Sequence, residues 1–170
     1  MTELRLYTFI NVYLSSIQQG IQTAHLVHEL FTTYTKPGSE KTRLYDWANN
    51  HKTIITLNGG ANADIQSKFL FLMREARSLE FPAPFASFCE DEYSLGGVMT
   101  GCAVVLPETI YDAVPQKQLK FIDGLDDNGY NRDVPGAFYH VVDKSIMKVW
   151  MPNSSEARLI EMVKSCGLAR

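Results

Sequence analysis

The sequence predicts an α/β fold of three layers, α/β/α, built on a mixed four-stranded sheet, with a β-hairpin and a helix added at the C-terminal end. Three observations carry this prediction. Short β-branched or aromatic runs alternate with segments of helical period, the pattern of layered α/β proteins. The third and fourth runs are separated by a loop short enough for an antiparallel pair, which makes the sheet mixed. The 170 residues are 45% hydrophobic and 21% charged, so the chain can bury a core without disulfides or a structural metal.

Taken in order, residues 4–13 are rich in Leu, Tyr, Phe, Ile and Val and suit a strand. The polar residues within this apolar stretch, and the lack of a small-residue cleavage site, favour a first strand over a signal peptide. Ser15 and Ser16 follow as candidate caps for a helix over 17–34, where Ala24, Val27, Leu30, Phe31 and Tyr34 recur at helical spacing. Lys36-Pro37-Gly38-Ser39 breaks that helix. A short helix over 42–49 and a buried strand over 52–57 come next, and Asn58-Gly59-Gly60 turns the chain. Asn62 is the expected cap of a helix to about residue 79, with Ile65, Phe69, Leu72, Met73 and Ala76 on one stripe. Pro82 and Pro84 exclude helix before a third strand at 85–89. A fourth strand follows at 99–106. Residues 1–115 thus read as the main domain and 116–170 as an extension packed on it. In the extension, 137–142 and 145–150 pair as a hairpin, and Asn153 with Glu156 three residues on has the capping-box pattern for a last helix.

Several function classes are excluded. Sixteen basic against nineteen acidic residues give a net charge of -3 and a pI near 5.8, which rules out a strongly basic nucleic-acid coat. No apolar run approaches the roughly 18 residues needed to span a bilayer, so no membrane partner is expected. Cys89, Cys102 and Cys166 are odd in number and far apart; they point to a reducing, cytoplasmic setting and against a zinc ribbon. His25 and His28 have helical spacing but lack the zincin pattern and a third ligand, so no metal is expected. Asp126-Asp127-Asn128-Gly129 superficially matches a calcium loop, yet Gly124 and Pro135 occupy its first and last ligand positions; a polar turn is expected instead.

The first helix carries the most specific signal. At about 100° per residue, Gln18, Gln22, His25 and Glu29 fall within roughly 60° of one another. Val27, Leu30 and Phe31 lie opposite, so the polar stripe is expected to face outward or into a cleft. Leu14-Ser-Ser-Ile-Gln-Gln-Gly-Ile-Gln-Thr-Ala-His25 resembles the signature of the second, archaeal and eukaryotic-type class of peptidyl-tRNA hydrolases. Gln22 and His25 stand at its Gln-x-x-His. The family's second signature is similar to Phe88-Cys-Glu90-Asp-Glu-Tyr-Ser94-Leu-Gly-Gly-Val-Met-Thr100, with Glu90 at the acidic position and Ser94 and Thr100 at its hydroxyl positions. Asp91 competes for the acidic position. Lys52-Thr-Ile-Ile-Thr-Leu57 is similar to a further family strand, and the resemblance spans 5–111. The sequence departs from the family at two lysines, where Gln18 and Ser16 stand.

The resemblance implies hydrolysis of the ester joining a peptide to tRNA, with no metal or organic cofactor. Such an ester needs a placed and deprotonated water and a stabilised oxyanion. Glu90 or Asp91 would be the base. Gln22, Ser94 and Thr100 would donate to the carbonyl oxygen or orient the water. Gln18 would support the site as an uncharged donor, and His25 through a buried hydrogen bond. Loss of a charged oxyanion donor typically costs about 100- to 1000-fold in rate, so weak activity or a substitute cation is expected, with Lys52, Lys41 and Arg43 nearest in sequence. The alternative is a binding or regulatory module that keeps the fold with weakened catalysis. In it, Met147, Trp150, Met151, Leu159, Ile160 and Met162 of the extension would form a homodimer or partner surface.

Overall fold

Strand β1 (Leu4–Asn11) is buried along nearly its whole length, as a strand flanked on both sides and covered on both faces must be. The computed structural model describes residues 2–119, 122 and 134–169; the side chains of Ser94, Leu95 and Gln116 also lie outside the described set. After β1 come α1 (Ser16–Thr33) and α2 (Ser39–Asp46), which runs into a single π turn, Trp47–His51. Then follow β2 (Thr53–Gly60), α3 (Asn62–Glu75), β3 (Phe85–Cys89), α4 (Glu92–Leu95) and β4 (Met99–Pro107). Beyond them lie α5 (Thr109–Asp112), β5 (Val114–Pro115), α6 (Gln116–Leu119), the hairpin β6 (Phe138–Val142) and β7 (Ser145–Trp150), and α7 (Ser155–Ser165).

The main sheet has the order β2-β1-β4-β3, with β1 parallel to β2 and antiparallel to β4. Alternation along β1 divides the core. Leu6 and Ile10 pack with Leu26 and Leu30 of α1 on one face. Tyr7 and Phe9 pack with Ile65 and Leu72 of α3 and with Leu159, Ile160 and Val163 of α7 on the other. Each of these aliphatic side chains, fully buried, contributes about 1.5–3 kcal/mol. The expected three layers and mixed sheet are therefore present.

The second sheet, β5-β6-β7, is antiparallel. Its β6–β7 turn places Asp143 and Lys144 at φ 47° and 65°, the two left-handed residues of the two-residue hairpin turn whose twist matches the strands. The segment from 116 on is not confined to the surface. Trp150, Leu159 and Ile160 are buried in the main core and Met162 packs against it. Of the six residues expected at a partner surface, only Met147 and Met151 are mostly exposed.

Four local readings are corrected. Residues 52–57 suggest a buried strand, but β2 is an edge strand with Ile54 exposed. A short piece of the C-terminal tail covers part of this edge: Gly167 accepts from Asn58 N at 2.8 Å and Ala169 N donates to Thr56 O at 3.0 Å. Asn58-Gly59-Gly60 is the end of β2, and a register shift opposite Ile10 and Asn11 leaves Gly59 as the extra residue. The cap of α7 is Ser154, whose Oγ accepts from Ala157 N at 3.1 Å; Asn153 instead takes φ 74° in the preceding turn. Likewise Asn62 begins α3 without capping it. Its side chain accepts from Asn11, and Asp64 accepts from Ala61 N at 2.9 Å. The expected polar turn at Asp126–Gly129 lies outside the described residues.

Candidate functional site

The site begins at the start of α1. Ser15 caps the helix: Gln18 N donates to Ser15 Oγ at 3.4 Å, and Gln18 Oε1 accepts from Ser15 N at 2.9 Å. This reciprocal pair satisfies two donors that a helix start leaves open. It also fixes where the helix faces. The buried positions are Gln19, Gln22, Leu26 and Leu30, spaced so that they lie along one side. The expectation that Gln22 faces away from the apolar side is therefore corrected, because the sheet-facing stripe contains two glutamines at its N-terminal end.

A buried amide must find partners. Gln19 Nε2 donates to Leu14 O at 3.0 Å, which turns the entering loop onto the helix. Gln22 reaches across to the sheet. Its Oε1 accepts from Thr100 Oγ1 at 2.9 Å, and its Nε2 donates to Glu90 Oε1 at 2.5 Å. Residues 68 and 78 positions away in sequence are thus joined through one side chain. These two bonds fix the amide's orientation, since the reverse would set its oxygen against a carboxylate.

Two backbone irregularities bring Thr100 and Glu90 to this point. On β3 and β4, Phe88 pairs with Gly101 but Cys89 pairs with Met99. Thr100 is therefore the extra residue of a bulge, and bulges re-aim side chains. By plain alternation Thr100 would share a face with Cys102 and Val104, on the α3 side; the bulge turns its hydroxyl to α1. The connection between the strands then closes on Gly96 and Gly97, at φ 64° and 69°, values that glycine adopts without strain. Glu90 N donates to Val98 O at 3.0 Å, which holds the carboxylate beside the start of β4.

The other expected site residues are placed as follows. Gln18 is exposed and occupied by the cap. His25 is exposed and stacks on Phe88, with ring centroids 4.3 Å apart and planes within 5°. The expected buried hydrogen bond from His25 is thus replaced by ring contact, because its position lies off the buried stripe. Asp91 is exposed, one residue beyond Glu90, and its carbonyl accepts from Gly97 N at 3.4 Å. Ser94 lies on α4, and its side chain is outside the described set. The substitute cations lie elsewhere. Lys52 precedes Thr53, which pairs with Arg5 at the opposite end of β1 from Ile10 and Gly101. Lys41 Nζ donates to Thr35 O and sits 5.3 Å from the Tyr45 ring, and Arg43 lines a pocket together with Leu106 and Pro107 at the far end of β4. Among the described residues, no ion pair includes Glu90.

A cavity of about 750 Å³ opens nearby, lined by Ile10, Val12, Gln19, Asn58 and residues 167–169. None of Gln22, Glu90 and Thr100 lines it, but Gln19 stands one turn before Gln22 on the same helix side and Ile10 pairs with Gly101. Gln19 and the tail are the contributors that sequence reasoning missed. Gln19 was detectable, since it is three residues from Gln22 on the same stripe. The tail had no local signal. Among the described residues no group of His, Cys, Asp and Glu has the arrangement of a metal site, and no helix is long and apolar enough to cross a membrane. No protein-family model and no curated protein matches the chain.

Proposed function

We propose that the protein is a cofactor-independent hydrolase of the ester bond in peptidyl-tRNA or a related aminoacyl-RNA ester, acting through a positioned water. The observation that supports this reading is the continuous Thr100–Gln22–Glu90 hydrogen-bonded chain, together with the motif resemblance around the same residues. Glu90 takes a proton from water as the new oxygen–carbon bond forms at the ester carbonyl. The tetrahedral oxyanion accepts from the Gln22 N–H that is not bonded to Glu90. Collapse breaks the bond to the RNA oxygen, which receives the proton from Glu90. Thr100, with its hydroxyl hydrogen committed to Gln22, orients the amide and does not itself donate to the oxyanion. Ser94 remains a proposed donor, and Asp91 the competing base.

The test is release of free tRNA from an N-blocked aminoacyl-tRNA. Gln22→Ala and Glu90→Gln should each lower release by about 100- to 1000-fold, and Thr100→Val by less. No release above a boiled control at high enzyme concentration rejects the hydrolase. A second reading, a binding module with weakened catalysis, is favoured by the occupation of Gln18 in the cap and by the lack of a cation paired with Glu90 among the described residues. Binding of tRNA without turnover selects it. In either reading a homodimer or protein contact through the extension would involve Met147 and Met151.

A further inference from the structure

A second pocket, of about 210 Å³, lies at the other end of the sheet, between α2, the α3–β3 connection, the end of β4, β7 and the start of α7. Leu106 in its wall lies six positions along β4 from Thr100, about 20 Å of strand. The pocket therefore does not belong to the Gln22 site. Arg43 and Lys148 line it, and so do Glu80 and Glu156. Among the described residues none of these four takes part in an ion pair or a side-chain hydrogen bond. Two cations and two carboxylates thus border one concavity with no pair among them in direct contact, and the carboxylate that acts on Arg43 is Glu40, outside the lining. The rest of the lining is mostly apolar, with Trp150 and Phe81 as its aromatic members. Trp150 is 3% exposed and its indole N–H has no partner among the described residues. Lys148 Nζ lies 5.2 Å from the centre of its ring.

This combination selects a ligand. A plain anion meets two carboxylates, and a plain cation meets Arg43 and Lys148. A molecule that carries both signs at a short distance satisfies both pairs. The volume is that of about seven waters, below the range of about 300–1,000 Å³ typical of drug-sized ligands, and the aromatic wall accepts an apolar body. We propose that this pocket binds an apolar α-amino acid in its zwitterionic form. Its carboxylate sits on the Arg43 guanidinium, whose planar fork matches a carboxylate. Its ammonium sits on Glu156 or Glu80, and its side chain lies against Trp150 and Phe81.

The experiment is a titration of the full chain with L-leucine, followed through the two indole N–H resonances in ¹H–¹⁵N spectra. The Trp47 indole, which donates to Thr53 O at 2.9 Å, is the internal reference. Leucine should move the Trp150 resonance saturably and leave Trp47 unmoved. 4-Methylpentanoate lacks the ammonium and 3-methylbutylamine lacks the carboxylate; each should bind at least roughly tenfold more weakly, as should leucine to Arg43→Gln and to Glu156→Gln. Each variant is first checked for an unchanged Trp47 resonance, and either one suffices if the other does not fold. No movement of Trp150 up to about 10 mM leucine overturns the proposal. Equal binding of the deaminated acid, or binding indifferent to both substitutions, does so as well.

Discussion

Arg158→Ala tests whether the C-terminal helix is held to the body of the protein by one buried carboxylate. Glu75, at the end of α3, is completely buried. Arg158 Nη2 on α7 donates to its Oε2 at 2.6 Å, and Arg74 Nε donates to its Oε1 at 2.6 Å. Burial alone would raise the Glu75 pKa, but the hydrogen bonds from Arg158, Arg74 and Ser155 outweigh it and hold the carboxyl below its ordinary value. A hydrogen bond to a charged group contributes about 1.5–3 kcal/mol. The Arg158 side chain is 38% exposed, so solvent screens part of its attraction, and Arg74 remains to pair the carboxylate. Arg158→Ala should therefore cost about 2 kcal/mol. For a chain of this length each kcal/mol lowers Tm by roughly 2–4 °C, so a thermal melt should fall by about 4–8 °C. The pH dependence has a definite sign. A lowered folded-state pKa contributes stability that is fully present above the ordinary glutamate value, roughly pH 4.3, and is lost as pH falls through the folded-state value. The stability gap between the natural chain and Glu75→Gln, measured by urea unfolding, should thus shrink below about pH 4.3. A loss under about 0.5 kcal/mol for Arg158→Ala, within the range of ordinary surface changes, would refute the clamp. So would a gap for Glu75→Gln that stays constant with pH.

Two glycines should respond differently to a methyl group. At Gly59 an added Cβ would stand 2.9 Å from Ile10 O and 2.9 Å from Phe9 C, both backbone atoms; Gly59→Ala should cost about 1–3 kcal/mol in urea unfolding. At Gly101 the neighbours are the Cδ1 atoms of Ile10 and Leu26, at 2.9 and 3.0 Å. These can shift, and alanine also gains about 0.4–1 kcal/mol by restricting the unfolded chain, so Gly101→Ala should be the milder change. A Gly101→Ala loss equal to that of Gly59→Ala counts against this reasoning. Among the cysteines, burial pushes the Cys102 thiol up to about 12, while Cys89 is exposed. Iodoacetamide on the folded protein near pH 8 should alkylate Cys89 and leave Cys102 unmodified until urea is added, as mass spectrometry would read, because only a thiolate reacts. Equal labelling of the two in the folded state would contradict the buried position of Cys102.

The layers of this fold were legible because they depend on periodicity, and the candidate site was only half legible because it depends on departures from periodicity. At about 100° per residue Gln22 and Leu30 stand only about 80° apart, and it is the difference in hydropathy that sets them on separate faces in a reading of the sequence. The folded chain puts both on one buried side, where Gln22 is tolerated through its bonds to Thr100 and Glu90. Nothing in a two-residue alternation marks Thr100 as the bulged residue, although that single insertion decides which face its hydroxyl serves. Gln22, Glu90 and Thr100 were found together by motif resemblance. Gln18 and His25 came with the same motif and stand apart from the chain, one spent on a cap and one on ring stacking. This separation has a chemical consequence. Gln18 is uncharged and its amide is engaged with Ser15, so it supplies neither the charge that a lysine would bring nor a donor beside Gln22. In the proposed hydrolase the amide that remains, Gln22, would have to orient the base and meet the oxyanion at once. Thr100 donates to the Gln22 oxygen and Glu90 accepts from its Nε2, so under that proposal the hydroxyl would help aim both N–H donors without touching the reacting carbonyl, which is why its loss is expected to cost less than loss of Gln22 or Glu90.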